Sequence, residues 1–336
     1  MKEILNHLFE HRTLEKDQAK EVLKNIASNV YNQSQIAAFL TVYLMRSITV
    51  HELMGFREAM LELCIPVDLE GYDAIDLCGT GGDGKDTFNI STLSSFVVAA
   101  CGQPVAKHGN SGVSSICGSS NLMAYFGHEF TDDQSSLKRN MDEAGICFLH
   151  APLFHPAMKN VGPIRKELGV KTFFNMLGPM VNPSFPKKQM VGVFSLELAR
   201  LYGYLYQNND VQFSVLHALD GYDEISLTGD FKIISNNGEQ LMAPGHLGLS
   251  KLSASEIKGG DTVEQSAKIF ENILRGKGTK AQNEVVIANS AIALQTADRN
   301  LSLPEAVDKS KESLMSGKAL QAFRSLISPK LSISIA

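Results

Sequence analysis

The sequence predicts an α/β protein: a small N-terminal helical domain, residues 1–66, then a larger α/β domain, residues 67–336, with a central, mostly parallel sheet flanked by helices. Three observations predict it. Up to Pro66 the chain carries helical spacing and capping signals throughout. Beyond Pro66 short apolar runs alternate with helical ones, the strand, loop, helix, strand rhythm of a parallel sheet. The length, 336 residues, also exceeds the roughly 250–300 at which one hydrophobic core stops growing.

In the helical part, Ile36, Leu40, Tyr43 and Leu44 share an apolar stripe, and Thr49-Val50-His51-Glu52 has capping-box spacing before the next helix. So small a bundle needs a partner surface, in the rest of the chain or in a second copy. A homodimer through this domain is therefore expected. Residues 74–78 read as the first strand and 92–100 as a small-residue helix, and a second strand begins at Pro104. Further strands are expected at 190–194, 213–217 and 231–234, with helices at 263–275, 281–297 and 303–325. The stretch 155–177 is helical and then rich in Asn, Gly and Pro, so part of 155–190 is expected to join the helical domain in space.

Composition narrows the function classes. Hydrophobic residues make up 44% and charged residues 20%, an ordinary globular balance. A net charge of −5 supplies no basic field for a nucleic-acid backbone. Cys64, Cys78, Cys101, Cys117 and Cys147 contain no CxxC pair and read as free thiols in a reducing compartment. Charge runs through MKEILNHLFEHRTLEKD, which is no signal peptide, and no stretch approaches 18 apolar residues; no membrane partner and a cytoplasmic location are expected.

The chemistry concentrates in GTGGDGKDTFNIST, residues 79–92. Gly79, Gly81 and Gly84 satisfy a GxGxxG fingerprint, but the second strand ends in Lys107-His108 where a dinucleotide site wants an acid for the ribose. Gly79 to Lys85 also fits a P-loop, yet Asp86 stands where Ser or Thr would ligate magnesium. What remains is a backbone that must approach an anion at a helix start, with Asn89, Ser91 and Thr92 as added donors. Asp83 inside that cradle suits a ligand carrying magnesium and hydroxyls, as a phosphorylated sugar does. After the second strand, Lys107-His108-Gly109-Asn110-Ser111-Gly112-Val113-Ser114-Ser115 and Gly118-Ser119-Ser120 form a second phosphate-type loop beside the first.

Together these loops resemble a known family. GTGGDGKDTFNIST, KHGN, the VSS and GSS behind it, His155-Pro156-Ala157-Met158-Lys159, Arg165-Lys166-Glu167-Leu168-Gly169 with Thr172, Asn175-Met176-Leu177-Gly178-Pro179 and Asn182-Pro183 look like the anthranilate phosphoribosyltransferases, nearly end to end. The resemblance implies transfer of a phosphoribosyl group from phosphoribosyl pyrophosphate to anthranilate. It implies donor contacts at Gly79, Gly82, Asp83, Thr87, Asn89, Ile90, Ser91, Thr92, Lys107 and Ser119, and anthranilate contacts at Gly79, Asn110 and Arg165. It also implies magnesium, two ions per subunit, on Ser91, Asp223 and Glu224, the last two in a turn after an apolar strand. The resemblance further implies that His155 and Pro152 line the entry for the aromatic acid, and His108 is the candidate proton acceptor. The chain departs from the family at Ser111 and Ile116, where most relatives carry Arg and Lys, which bears on donor affinity. A pyrimidine nucleoside phosphorylase of the same architecture, or a phosphoribosyltransferase with another acceptor, is the nearest alternative; the GTGGD and KHGN pairing argues against the phosphorylase. A nucleic-acid-binding relative and a dinucleotide oxidoreductase are the remoter ones.

Overall fold

The structure, a computed structural model, describes residues 1–112 and 116–327. The hydroxyls expected from Ser114 and Ser115, and the end of the 67–336 domain, lie outside the described residues. The chain opens with four helices, α1 (Lys2–Phe9), α2 (Lys16–Ala27), α3 (Gln33–Met45) and α4 (Val50–Glu62). Thr49 caps α4 as its spacing predicts, with Glu52 reaching back to the Thr49 amide. Glu52 is also the buried knot of this domain, accepting from Leu14 N at 3.0 Å and pairing with Arg46 at 2.5 Å. Burial alone would raise its pKa, but the guanidinium and the amides hold it below the usual carboxylate range. Ile36, Leu40 and Tyr43 are buried as the stripe predicts; Leu44 is not, at 45% exposed. It lies off the face that packs.

There follow β1 (Ile75–Gly79), α5 (Ile90–Ala100), β2 (Val105–Gly109), α6 (Ser119–Tyr125), α7 (Gln134–Ala144), β3 (Ile146–His150), α8 (Ala151–Phe154), α9 (Gly162–Leu168), α10 (Phe174–Leu177), β4 (Lys188–Gly192), α11 (Leu196–Gln207), β5 (Gln212–Ala218), β6 (Phe231–Ser235) and β7 (Gly238–Met242). The chain then turns helical, with α12 (Val263–Leu274), α13 (Lys280–Ala297), α14 (Leu303–Met315) and α15 (Lys318–Ile327). The seven strands form one sheet in the order β3-β2-β1-β4-β5-β6-β7. The first five run parallel, and the β6–β7 hairpin closes one edge antiparallel. The expected single helix over 303–325 is two, α14 and α15, because Gly317 at φ +82 turns the chain between them. Strands β3 and β7 and helices α6, α7 and α11 were not expected from the sequence.

Side chains alternate across the sheet. Ile75, Leu77, Val105, Ile146 and Phe148 point into a core with α5 and α12–α15. On the other face, Val191, Val193, Phe213 and Val215 share a core with α1–α4 and with Ile164, Phe173, Phe174 and Leu177. Phe173 stacks on Phe56 at 4.4 Å, so the 161–181 segment is packed against the N-terminal helices by aromatic contact. The chain leaving the carboxyl ends of β1, β2, β3 and β5 meets this segment at one junction.

Candidate active site

At that junction lies a cavity of about 560 Å³. It sits where ligands bind in open parallel sheets, outside the carboxyl ends and beside the point where strand order reverses, between β1 and β4. Gly79, Gly82, Asp83, Thr87, Asn89, Ser91, Thr92, Lys107, His108, Asn110, Ser119, Arg165, Asp223 and Glu224 all line it. Pro152 and His155 do too. Among the described residues expected at the site, Ile90 and Ser120 do not: the Ile90 side chain is fully buried in the core, and the buried Ser120 hydroxyl pairs with His150 Nδ1 at 2.8 Å.

The glycine loop adopts conformations that explain its composition. Gly81, Gly82 and Gly84 stand at φ +64, +80 and +70, where a Cβ would strain the chain. Gly81 N donates to Asp223 Oδ2 at 2.7 Å, and Ser91 N donates to Glu224 Oε1 at 2.9 Å. The loop after β5 is thereby clasped to the loop after β1. Asn89 is the N-cap residue of α5, its side-chain amide spent on the Cys117 carbonyl at 2.9 Å, so it braces the second loop against the first. The Lys107 ammonium, buried, donates to Leu77 O at 2.6 Å and keeps two further N–H groups.

Asp223 is buried and Glu224 faces the cavity, and no Lys, Arg or His forms an ion pair with either among the described residues. Burial, then the charge of Asp83, pushes the Asp223 carboxyl up to about 7. Burial and Asp223 push Glu224 well above its usual range. Carboxylate oxygens crowded without a cation form a donor set that fits a hard divalent ion. Among the described residues no group of three or more His, Cys, Asp or Glu is arranged to hold a metal alone, so such an ion would be completed by oxygens of its ligand, as magnesium on phosphates is.

Across the cavity, Arg165 forms no ion pair among the described residues. Its Nη2 donates to Asn175 Oδ1 at 3.1 Å and the guanidinium stands 5.4 Å over the Phe174 ring. That leaves a planar fork next to an aromatic face, suited to an aromatic carboxylate. Asn110 points into the same space while its carbonyl takes Ser119 Oγ at 3.3 Å.

His108 and His155 face each other, ring centroids 5.4 Å apart. His108 Nδ1 sits 3.1 Å from the Gly178 carbonyl, which can only accept. The neutral ring therefore carries its proton on Nδ1 and leaves Nε2, which has no partner among the described residues, as an acceptor. Burial, then the neighbouring His155, lowers the His108 pKa to about 3; burial lowers His155 to about 4. Folding thus requires both rings neutral. An unfolded histidine takes up its proton below about 6.5, so stability is fully present above that pH and is lost as pH falls toward the folded values. For the unliganded protein, His155→Gln should remove one such contribution. The stability difference between the two proteins should change by about 1.4 kcal/mol per pH unit between pH 6.5 and about 4. Urea titrations across that window check it, and a constant difference overturns it.

Two residues escaped the sequence reading. Asp76, fully buried in β1, accepts from His108 N at 3.1 Å and is pushed up to about 6 by burial. An acid inside an apolar strand was a legible signal. Lys171, whose ammonium donates to Gly82 O, reads in sequence as any exposed lysine, and only the fold brings it there.

Comparisons with known proteins point the same way. Residues 71–320 match a family model described as glycosyl transferase family, a/b domain, and residues 2–64 match its helical bundle domain. Anthranilate phosphoribosyltransferases of Christiangramia forsetii and Flavobacterium johnsoniae are 63% and 64% identical, each over 97% of this chain and 98% of their own length. Among solved structures, the anthranilate phosphoribosyltransferase of Thermus thermophilus superposes with a TM-score of 0.89 at 31% identity, covering 96% of this chain and 98% of its own. That of Saccharomyces cerevisiae, in complex with PRPP and Mg, gives 0.88 at 26% identity, covering 96% and 95%.

Proposed function

Because this chain belongs to the anthranilate phosphoribosyltransferase family, we propose that it transfers the 5-phosphoribosyl group of phosphoribosyl pyrophosphate to the amine of anthranilate. The products are N-(5-phosphoribosyl)anthranilate and pyrophosphate, a step of tryptophan biosynthesis. One observation carries the reading beyond family membership: an oxygen-rich acidic pair is clasped to a glycine loop at a helix start, in one cavity with a guanidinium that forms no ion pair among the described residues.

The residue roles follow from the chemistry. Loop amides around Gly79 and Gly82, the α5 N-terminus with Thr87, Asn89, Ser91 and Thr92, and Lys107 and Ser119 hold the donor, since free N–H groups and the helix dipole favour phosphate. Ile90 offers the donor only backbone. Asp223, Glu224 and Ser91 hold magnesium, two ions per subunit, with Asp83 beside them toward the ribose hydroxyls. When bound, the metal supplies positive charge against the diphosphate. Arg165 grips the anthranilate carboxylate, while Asn110 and Gly79 bound the ring. The arylamine is already nucleophilic, so the protein's task is to align it with C1 and to exclude water. As the C–N bond forms and the C–O bond to pyrophosphate breaks, the amine becomes an arylammonium, far more acidic than the neutral amine. His108 Nε2, the acceptor nitrogen of a neutral ring, receives its proton.

The helical domain, 1–66 with part of 155–190, and the α/β domain, 67–336, are the working units. Exposed Phe9, Leu44 and Met45, the last at 84%, support a homodimer through the helical domain. Free cysteines support a reducing, cytoplasmic setting, and among the described residues no helix is long and apolar enough to cross a membrane.

Loss of anthranilate fluorescence on mixing with phosphoribosyl pyrophosphate and Mg²⁺ tests the reaction. The His108→Ala variant should turn over about 10²-fold more slowly. Unchanged turnover removes the acceptor role, and no fluorescence loss in the folded wild-type protein assigns the acceptor to a different amine.

A further inference from the structure

Lys171 reaches from the helical side of the cavity to the glycine loop. Its ammonium donates to the Gly82 carbonyl, and its Cε and Nζ stand 3.4 Å from where a Cβ on Gly82 would lie. The same short segment carries Arg165. Asn175 Oδ1 accepts from Arg165 Nη2 and from the Thr172 amide, each at 3.1 Å, so the side chain that orients the guanidinium also fixes the backbone next to Lys171. That segment is anchored among the N-terminal helices through Ile164, Phe173 and Phe174. Gly82, at φ +80 between Gly81 and Gly84, belongs to a loop with few conformational preferences of its own. A planar trans peptide that turns its Gly82 carbonyl to Lys171 sends the Asp83 N–H the opposite way. One cation therefore sets the aim of an amide in the donor loop from a segment built for the acceptor.

Resting on the phosphoribosyl-transfer reading, we propose that Lys171 is a positioning residue that couples the two substrates. Order imposed on the glycine loop by the donor's diphosphate is passed through the Lys171 to Gly82 bond to the Arg165 segment, and carboxylate binding at Arg165 returns it. Because coupling between two ligands is reciprocal, each must shift the other's affinity by one factor.

Calorimetric titration with anthranilate, with and without saturating magnesium pyrophosphate, reads this without turnover. In the wild-type protein the pyrophosphate should change anthranilate affinity by about fivefold or more, and anthranilate should change pyrophosphate affinity by the same factor. In Lys171→Met that factor should fall to about one while anthranilate alone binds within about threefold of wild type. Lys171→Arg, which keeps a donor for the Gly82 carbonyl, should restore it. Coupling that persists in Lys171→Met, or is absent from the wild-type protein, overturns the proposal alone. A wild-type protein that binds no anthranilate overturns the reading of the reaction beneath it.

Discussion

Replacing Asp223 with Asn and Glu224 with Gln should lower kcat/KM for phosphoribosyl transfer by about 10³-fold or more, yet leave the unliganded protein as stable as before or more so. The loss follows from charge. Holding a divalent ion against a diphosphate is worth several kcal/mol, and each 1.4 kcal/mol is a factor of ten. The stability follows from burial. Two carboxylates crowded with Asp83 and lacking an ion pair cost desolvation in the folded state. Isosteric amides keep an oxygen for Gly81 N and Ser91 N, the two bonds that clasp the loops, and remove that cost. A site that is destabilising where it is functional is what a trade-off between activity and stability looks like. Turnover across a Mg²⁺ titration, together with melting temperatures with and without Mg²⁺, measures both halves. Retained magnesium-dependent turnover in the double variant sinks the metal assignment. A large drop in melting temperature shows instead that the carboxylates are structural.

Gly192→Ala should cost almost as much without touching a charged group. Gly192 closes β4 and pairs with Gly79 across the ladder. A Cβ there would fall 1.5 Å from the Asp223 carbonyl oxygen and 2.7 Å from its carbonyl carbon. Both atoms are backbone, so no side-chain rotation relieves the clash, and the loop carrying Asp223 and Glu224 has to move. Overpacking of this kind costs about 1–3 kcal/mol, occasionally more, and a displacement of about 1 Å at reacting groups costs about 10² in rate. The expected variant is folded, less stable and at least about 10²-fold slower. Gly71→Ala is the control, since nothing lies within 4 Å of its added Cβ and its stability should stay within about 0.5 kcal/mol. Equal behaviour of the two variants would show that the 219–224 loop accommodates the methyl.

How much of this was legible varied with the range of the forces involved. The helical character of residues 1–66 was readable because periodicity and the Thr49–Glu52 cap act within one turn, while the division into four helices came from the structure. The exposure of Leu44 was not, since a stripe in sequence does not say which flank of it meets a neighbour. The break between α14 and α15 was signalled by Gly317, but a single glycine is tolerated in many helices and only its left-handed conformation settles the matter. Strand β3 follows a helical run too closely for its apolar residues to stand out, and β7, Gly238–Met242, is an edge strand with exposed Glu239 and Gln240 and shows little hydrophobic alternation.

The sequence by itself determined the chemistry on offer: a glycine loop at a helix start suited to an anion, hydroxyls beside it, an adjacent acid pair after an apolar strand, and the motifs of one enzyme family. These are local patterns, fixed by backbone sterics and by which groups a short segment exposes. What the tertiary structure alone decided was which of them meet. Asp223 reaches Gly81 over 142 residues and Glu224 reaches Ser91 over 133. His108 is brought under Gly178, and Lys171 lands on Gly82. Those meetings depend on strand order and on how the 161–181 segment packs against the N-terminal helices. Such packing is a sum of many weak, nondirectional contacts, and no single stretch of sequence encodes it.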